Sequence, residues 1–184
     1  MKNALILHGT DGNSQINWFP WLKTGLEKNG FKVWCPDLPQ AEKPNIDRYF
    51  KFISENLDWN FNSETILIGH SSGAVSILGI LQRLPEEIQV EACYLVGSFK
   101  DDLGWDSLTE LFQPPLDFSK IKNKAKKLVF IHSDNDPYCP LEHAKFLAKQ
   151  VGGELIVMPG QGHFGVKQDP KYTKFPELLD LVFK

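Results

Sequence analysis

Thr65-Ile66-Leu67-Ile68-Gly69-His70-Ser71-Ser72-Gly73-Ala74-Val75-Ser76-Ile77-Leu78 is the stretch on which the reading of this chain turns. Its first four residues are apolar or β-branched without alternation, as expected of a strand buried on both faces of a parallel sheet. Beyond Gly73, apolar side chains continue at Ala74, Val75, Ile77, Leu78 and Leu81, with small Ser76 and Gly79 between them. That pattern predicts a buried helix able to approach the sheet closely. Between strand and helix stands Gly69-His70-Ser71-Ser72-Gly73, a G-x-S-x-G pentapeptide. In such a context a sharp turn lifts the middle serine hydroxyl clear of the sheet's C-terminal edge. Gly69 and Gly73 lack a Cβ and relieve crowding at the turn, and the helix N-terminus favours negative charge developing beside Ser71.

Outward from this unit the pattern is alternation. Further strand-length apolar runs are Ala4–His8, Lys32–Cys35, Ala92–Gly97, Lys127–His132 and Glu154–Met158. Helical patterns lie between them. Trp18 to Glu27 is apolar at 18, 19, 22 and 26 and is stopped by Gly30. Ile46, Tyr49, Phe50, Ile53 and Leu57 form a stripe behind Asn45 as N-cap. Leu141 to Val151 begins beside Pro140 and ends at Gly152-Gly153. Strand–helix–strand alternation implies right-handed crossovers and a sheet covered on both faces, so the fold class is α/β. From Ser98 to Lys126 the rhythm breaks: apolar residues scatter and Pro114-Pro115 interrupts. Connections of this length inside a compact domain often serve as lids.

The 184 residues fit a single domain, 1–184, with neither repeat nor linker. A net charge of −3 gives no basic face for nucleic acid. The N-terminus has only a four-residue apolar run and no run approaches bilayer length, which predicts a cytoplasmic protein without a membrane partner. Cys35, Cys93 and Cys139 are too few and too scattered for a disulfide framework or zinc site, so reduced thiols are expected. The first turn, Gly9-Thr10-Asp11-Gly12, lacks the G-x-G-x-x-G of dinucleotide binding. Cys139 with His143 is too small a set for a metal. No cofactor and no metal are expected.

A serine hydroxyl is a weak nucleophile until a base takes its proton. In G-x-S-x-G enzymes the partners follow in the order Ser, Asp or Glu, His. Of five histidines, His163 alone lies on a glycine-rich loop, Gly160 to Gly165, just after the last strand. The acid belongs on the loop after the fifth strand, where Asp134 and Asp136 compete. Oxyanion donors are expected from the backbone N–H of Ser72 and, on the loop after the first strand, that of Thr10.

Strand–His8-Gly9, Gly69-His70-Ser71-Ser72-Gly73, Asp136-Pro137-x-x-Pro140 and Gly162-His163-Phe164, in that order, resemble the small α/β-hydrolase-fold serine hydrolases related to retinoblastoma-binding protein 9 and YdeN. The likeness spans the whole chain, including Trp18, Trp21 and Asp102-Leu103-Gly104. It implies a compact six-stranded, mostly parallel sheet of order 2-1-3-4-5-6, hydrolysis without a cofactor, and small ester or amide substrates, aminoacyl compounds included. Carried over by motif, the triad is Ser71, Asp136 and His163. Pro137 stiffens the turn just beyond Asp136 and Pro140 can open the next helix, fixing the distance from acid to helix start, whereas Ser133-Asp134-Asn135 has the composition of side chains bonding to their own turn. Two departures stand out. Leu57-Asp58-Trp59-Asn60-Phe61 lacks the Leu-x-Cys-x-Glu motif from which one relative takes its name, so retinoblastoma-protein binding is not expected. Cys139 replaces the more usual aliphatic residue before Pro140.

Trp18, Trp21 and Trp105 flank the C-terminal sheet edge and are candidates for a small substrate pocket. The competing readings are a non-catalytic partner-binding protein on the same fold, and a thioesterase or lyase using the same triad.

Overall fold

The computed structural model describes all of residues 1–184. Six strands, β1 (Asn3–Leu7), β2 (Lys32–Trp34), β3 (Thr65–His70), β4 (Val90–Val96), β5 (Ala125–His132) and β6 (Glu154–Val157), form one sheet. Their order is β2-β1-β3-β4-β5-β6, and every pairing is parallel. The strands lie within one or two residues of the apolar runs read from sequence.

Register explains the two cores. Leu5, Leu67, Cys93 and Leu128 stand side by side across the sheet, as do Ile6, Ile68, Tyr94 and Val129. Because strand side chains alternate, the first row faces one layer and the second faces the other. The first row packs against α2 (Ile46–Ser54), α3 (Ser72–Leu81) and α5 (Leu141–Val151). The second packs against α1 (Phe19–Lys28) and α6 (Pro176–Val182). Each fully buried aliphatic or aromatic side chain contributes about 1.5–3 kcal/mol.

Local signals explain the helix ends. Asn45 caps α2 by accepting from Arg48 N at 2.9 Å, and α5 stops at Gly152 in the left-handed conformation, φ 68°. The stripe on α2 is shorter than its sequence implied: the helix ends at Ser54, and Leu57 is fully exposed. The C-terminal helix α6, seven residues long, carried no signal in the sequence strong enough to predict it.

The segment from Ser98 to Lys126 contains a 3₁₀ turn (Asp106–Phe112) and the short helix α4 (Phe118–Ile121). Phe99, Leu108 and Leu111 are buried in a third cluster with Ile46 of α2, Val75 of α3 and Cys139. Its scattered apolar residues thus pin it across the sheet's C-terminal edge, beside the serine turn. No helix is long and apolar enough to cross a membrane.

Candidate active site

Every residue of β3 and α3 is buried except at the turn between them, where Ser71 is half-exposed. Ser71 has φ 56° and ψ −126°, a conformation L-residues avoid. The contacts around it require it. A Cβ on Gly69 would stand 2.6 Å from Ala74 N, and one on Gly73 2.4 Å from the Leu7 carbonyl oxygen. Only glycines let the helix start this close to two strands. Ser71 N donates to the Val96 carbonyl at 2.8 Å, anchoring the turn to the end of β4. Ser72 opens α3, and N–H groups of a first helical turn have no partner within the helix. Thr10 Oγ1 donates to Ser72 Oγ at 2.9 Å, drawing the loop after β1 to the turn.

The next residue along β4's exit, Gly97, meets the second half of the site. His163 and Asp136 both lie against it, and His163 Nδ1 is 2.7 Å from Asp136 Oδ2. The Asp136 carboxylate is 0% exposed, and its Oδ1 accepts from Tyr138 N at 2.9 Å and Cys139 N at 3.0 Å. Burial alone would raise its pKa. The hydrogen bond and charge of His163, with the two backbone donors, outweigh that and hold the carboxyl below its ordinary range. An ionised Asp136 can only accept, so Nδ1 is the donor in this pair and Nε2 is turned away from the carboxylate.

The loop carrying His163 is fastened by side chains. Gly160 N donates to Asp134 Oδ1, Gln161 N to Ser133 Oγ and Gly162 N to Asn135 Oδ1, each at 2.8 Å. Three consecutive N–H groups before the histidine are thus held by three consecutive residues before Asp136. This corrects the expectation that Asp134 bonds within its own turn: it reaches across to the next loop. The end of β5 and the end of β6 are thereby fixed relative to each other.

Two further residues escaped the sequence reading. His70, beside Ser71, is 5% exposed, and its Nε2 donates to the His163 carbonyl oxygen at 2.7 Å. Burial, then the neighbouring His163, push its pKa down to about 3, so the ring is neutral. Tyr138 lies edge-on to the His163 imidazole at 5.2 Å, 84°. The signal for His70 was its place in a buried motif, where a polar ring must find a partner. No comparable signal marked Tyr138.

The three tryptophans part company. Trp18 is 0% exposed, with its indole N–H donating to the Phe164 carbonyl at 3.1 Å. This corrects its assignment to a pocket: a wholly enclosed ring offers no surface to a ligand. Trp21 is half-buried against the same α1 layer. Trp105 is 47% exposed and stands edge-on to Tyr138 at 6.2 Å.

Asp136, Cys139 and His163 are close enough to bracket a metal ion, with ligand atoms within 4.8 Å of one another. Their chemistry fits an ion poorly. Burial and the adjacent Asp136 push the Cys139 thiol well above its usual value, leaving it protonated. Coordination through Nδ1 would break the bond between His163 and Asp136. Cys35 and Cys93 are likewise free thiols.

A parallel sheet in this order, with a serine on a strained strand-to-helix turn, defines the α/β-hydrolase fold. A family model described as "Serine hydrolase" matches residues 4–184, and the chain belongs to that family. It is 30% identical to the Bacillus subtilis hydrolase YdeN over 182 residues, 98% of this chain and 94% of that protein. It is 28% identical to serine hydrolase RBBP9 of Rattus norvegicus over 184 residues, 97% of this chain and 92% of that one. The crystal structure of the B. subtilis ydeN product superimposes with a TM-score of 0.90 at 29% identity, covering 100% of this chain and 97% of that one. Est1E from Butyrivibrio proteoclasticus, with ferulic acid bound, shares the fold at a TM-score of 0.71 and 16% identity, covering 100% and 90%. The protein is a serine hydrolase, an enzyme acting on small molecules.

Proposed function

We propose that this hydrolase cleaves small esters or amides through Ser71 as nucleophile, His163 as base and Asp136 as the acid that orients it. The observation that carries this reading is the 2.7 Å contact from His163 Nδ1 to the buried Asp136 carboxylate, held beside the serine turn by the shared Val96-Gly97 corner. Nε2 takes the proton from Ser71 Oγ as Oγ bonds to the substrate carbonyl carbon. The Ser72 and Thr10 N–H groups receive the negative oxygen. The leaving atom departs with the proton from Nε2, and an acyl group stays on Ser71. Water, deprotonated by the same Nε2, then releases the acid. Asp136 stays ionised and stabilises the imidazolium.

Labelling with a fluorophosphonate probe, followed by peptide mapping, tests the assignment. The probe is expected on Ser71, and Ser71→Ala is expected to lose both label and ester turnover with an unchanged circular dichroism spectrum. Turnover at the wild-type rate in Ser71→Ala sinks the reading. Labelling without turnover of any ester, amide or thioester favours a partner-binding role for the cleft.

A further inference from the structure

We propose that the exposed rings of Tyr138 and Trp105 form the subsite for the leaving half of the substrate, and that this half carries an aromatic ring. The proposal rests on the roles of Ser71, His163 and Asp136 given above. The surroundings of the His163 imidazole carry it. Asp136 occupies Nδ1. The Gly97 main chain closes against Cε1, where a Cβ would stand 3.0 Å away. The His70 ring covers another side at 4.7 Å and is itself buried. The Tyr138 ring is the aromatic neighbour that stays open, 42% exposed.

Tyr138 is not a stray surface aromatic. Gln168 Nε2 donates to its hydroxyl at 3.1 Å, fixing the ring from the far end. Trp105 meets it edge-on at 6.2 Å, 73°. Trp105 comes from the segment after β4 and Tyr138 from the loop after β5, so two separate loops deliver rings to one spot beside the base. Isolated exposed apolar residues need no explanation, but a contiguous pair of which one ring lies against the base marks a binding surface.

The direction of proton transfer says which half of the substrate lies there. During acylation the bond from Ser71 Oγ to the carbonyl carbon forms, and the bond from that carbon to the leaving oxygen or nitrogen breaks. The proton taken by Nε2 passes to the leaving atom, which must come within about 3 Å of Nε2. The body attached to it then lies on the open surface adjoining the imidazole. That surface begins at Tyr138 and continues onto Trp105 behind it. Edge-to-face or offset contact with two such rings favours an aryl or arylalkyl alcohol or amine over an aliphatic one of similar size.

Matched esters test this. Phenethyl acetate and hexyl acetate share an acyl group and have alcohols of similar acidity, while methyl hydrocinnamate and methyl heptanoate move the same difference to the acyl half. The expected result is a kcat/KM about five- to tenfold higher for phenethyl than for hexyl acetate, with no comparable preference in the methyl pair. Tyr138→Leu and Trp105→Leu are each expected to reduce the preference, and Tyr138→Phe to keep it. Equal rates for the two acetates, an unchanged ratio in both leucine variants, or an aromatic preference confined to the acyl half overturns the subsite. Labelling of Ser71 in the same preparations separates this from failure of the triad, which would abolish labelling and turnover together.

Discussion

The main chain at Gly97 lies directly against the imidazole of His163, so that a Cβ built there would stand 3.0 Å from Cε1, 3.2 Å from Nδ1 and 3.7 Å from Asp136 Oδ2. Gly97 also has φ 62°, where an added side chain costs about 1 kcal/mol before any contact is counted. Gly97→Ala is expected to push the imidazole by a few tenths of an ångström and lower kcat by about tenfold, a fraction of the roughly hundredfold that a 1 Å misplacement can cost. Stopped-flow acylation with an activated ester, alongside a thermal melt, checks this; a wild-type rate would mean the ring has room to give way.

The two aspartates after β5 should separate cleanly. Asp136→Asn removes the charge that orients and stabilises His163, and turnover is expected to fall about 10²–10⁴-fold. Asp134→Asn retains an acceptor for Gly160 N and is expected to stay within about tenfold of wild type. Steady-state kinetics on both variants decide it, and the reverse ranking would transfer the acid's role.

His70 Nε2 holds the His163 carbonyl at 2.7 Å and is expected to act as a positioning residue for the proposed base. His70→Phe leaves a buried carbonyl without its donor, at about 1–3 kcal/mol. His70→Gln places an N–H at a similar reach. Turnover is expected to drop about tenfold in the phenylalanine variant and to recover largely in the glutamine variant. A purely space-filling role would give the opposite order.

Stability should fall in mild acid. His8, His70 and His132 are all shifted below their ordinary value of 6.5, chiefly by burial, and His70 to about 3. Between about pH 6.5 and 3 the unfolded chain therefore binds protons that the folded chain excludes. The sign is fixed: stability is complete above pH 6.5 and declines below it, with a slope of about 1.4 kcal/mol per pH unit for each histidine fully neutral in the fold. Urea midpoints at several pH values test this. A midpoint constant from pH 7.5 down to about pH 5 would contradict it.

The legibility of this chain was uneven for physical reasons. Thr65–Ile68 could be read because a strand buried on both faces leaves a continuous apolar run, and Ser71 because its turn demands glycines at fixed spacing. The contact of His163 with Asp136 was foreshadowed by their order along the chain. Trp18 was misplaced because a tryptophan near the sheet's end looks alike in sequence whether it faces solvent or core; its partner Phe164 lies 146 residues away. The clasp from Ser133, Asp134 and Asn135 to Gly160, Gln161 and Gly162 was hidden for the same reason. Turn-forming composition reports what a side chain can accept, not which loop supplies the donor.

The backbone of Ser71, at φ 56° and ψ −126°, has an evolutionary corollary. A non-glycine residue held there costs about 1–3 kcal/mol, a sizeable share of a small domain's whole margin, and glycine would relieve it. With Ser71 as the proposed nucleophile, drift toward robustness and retention of turnover pull against each other at one codon. A library of this gene selected for heat tolerance alone should lose the serine early, and descendants kept by selection for chemistry should carry the burden indefinitely.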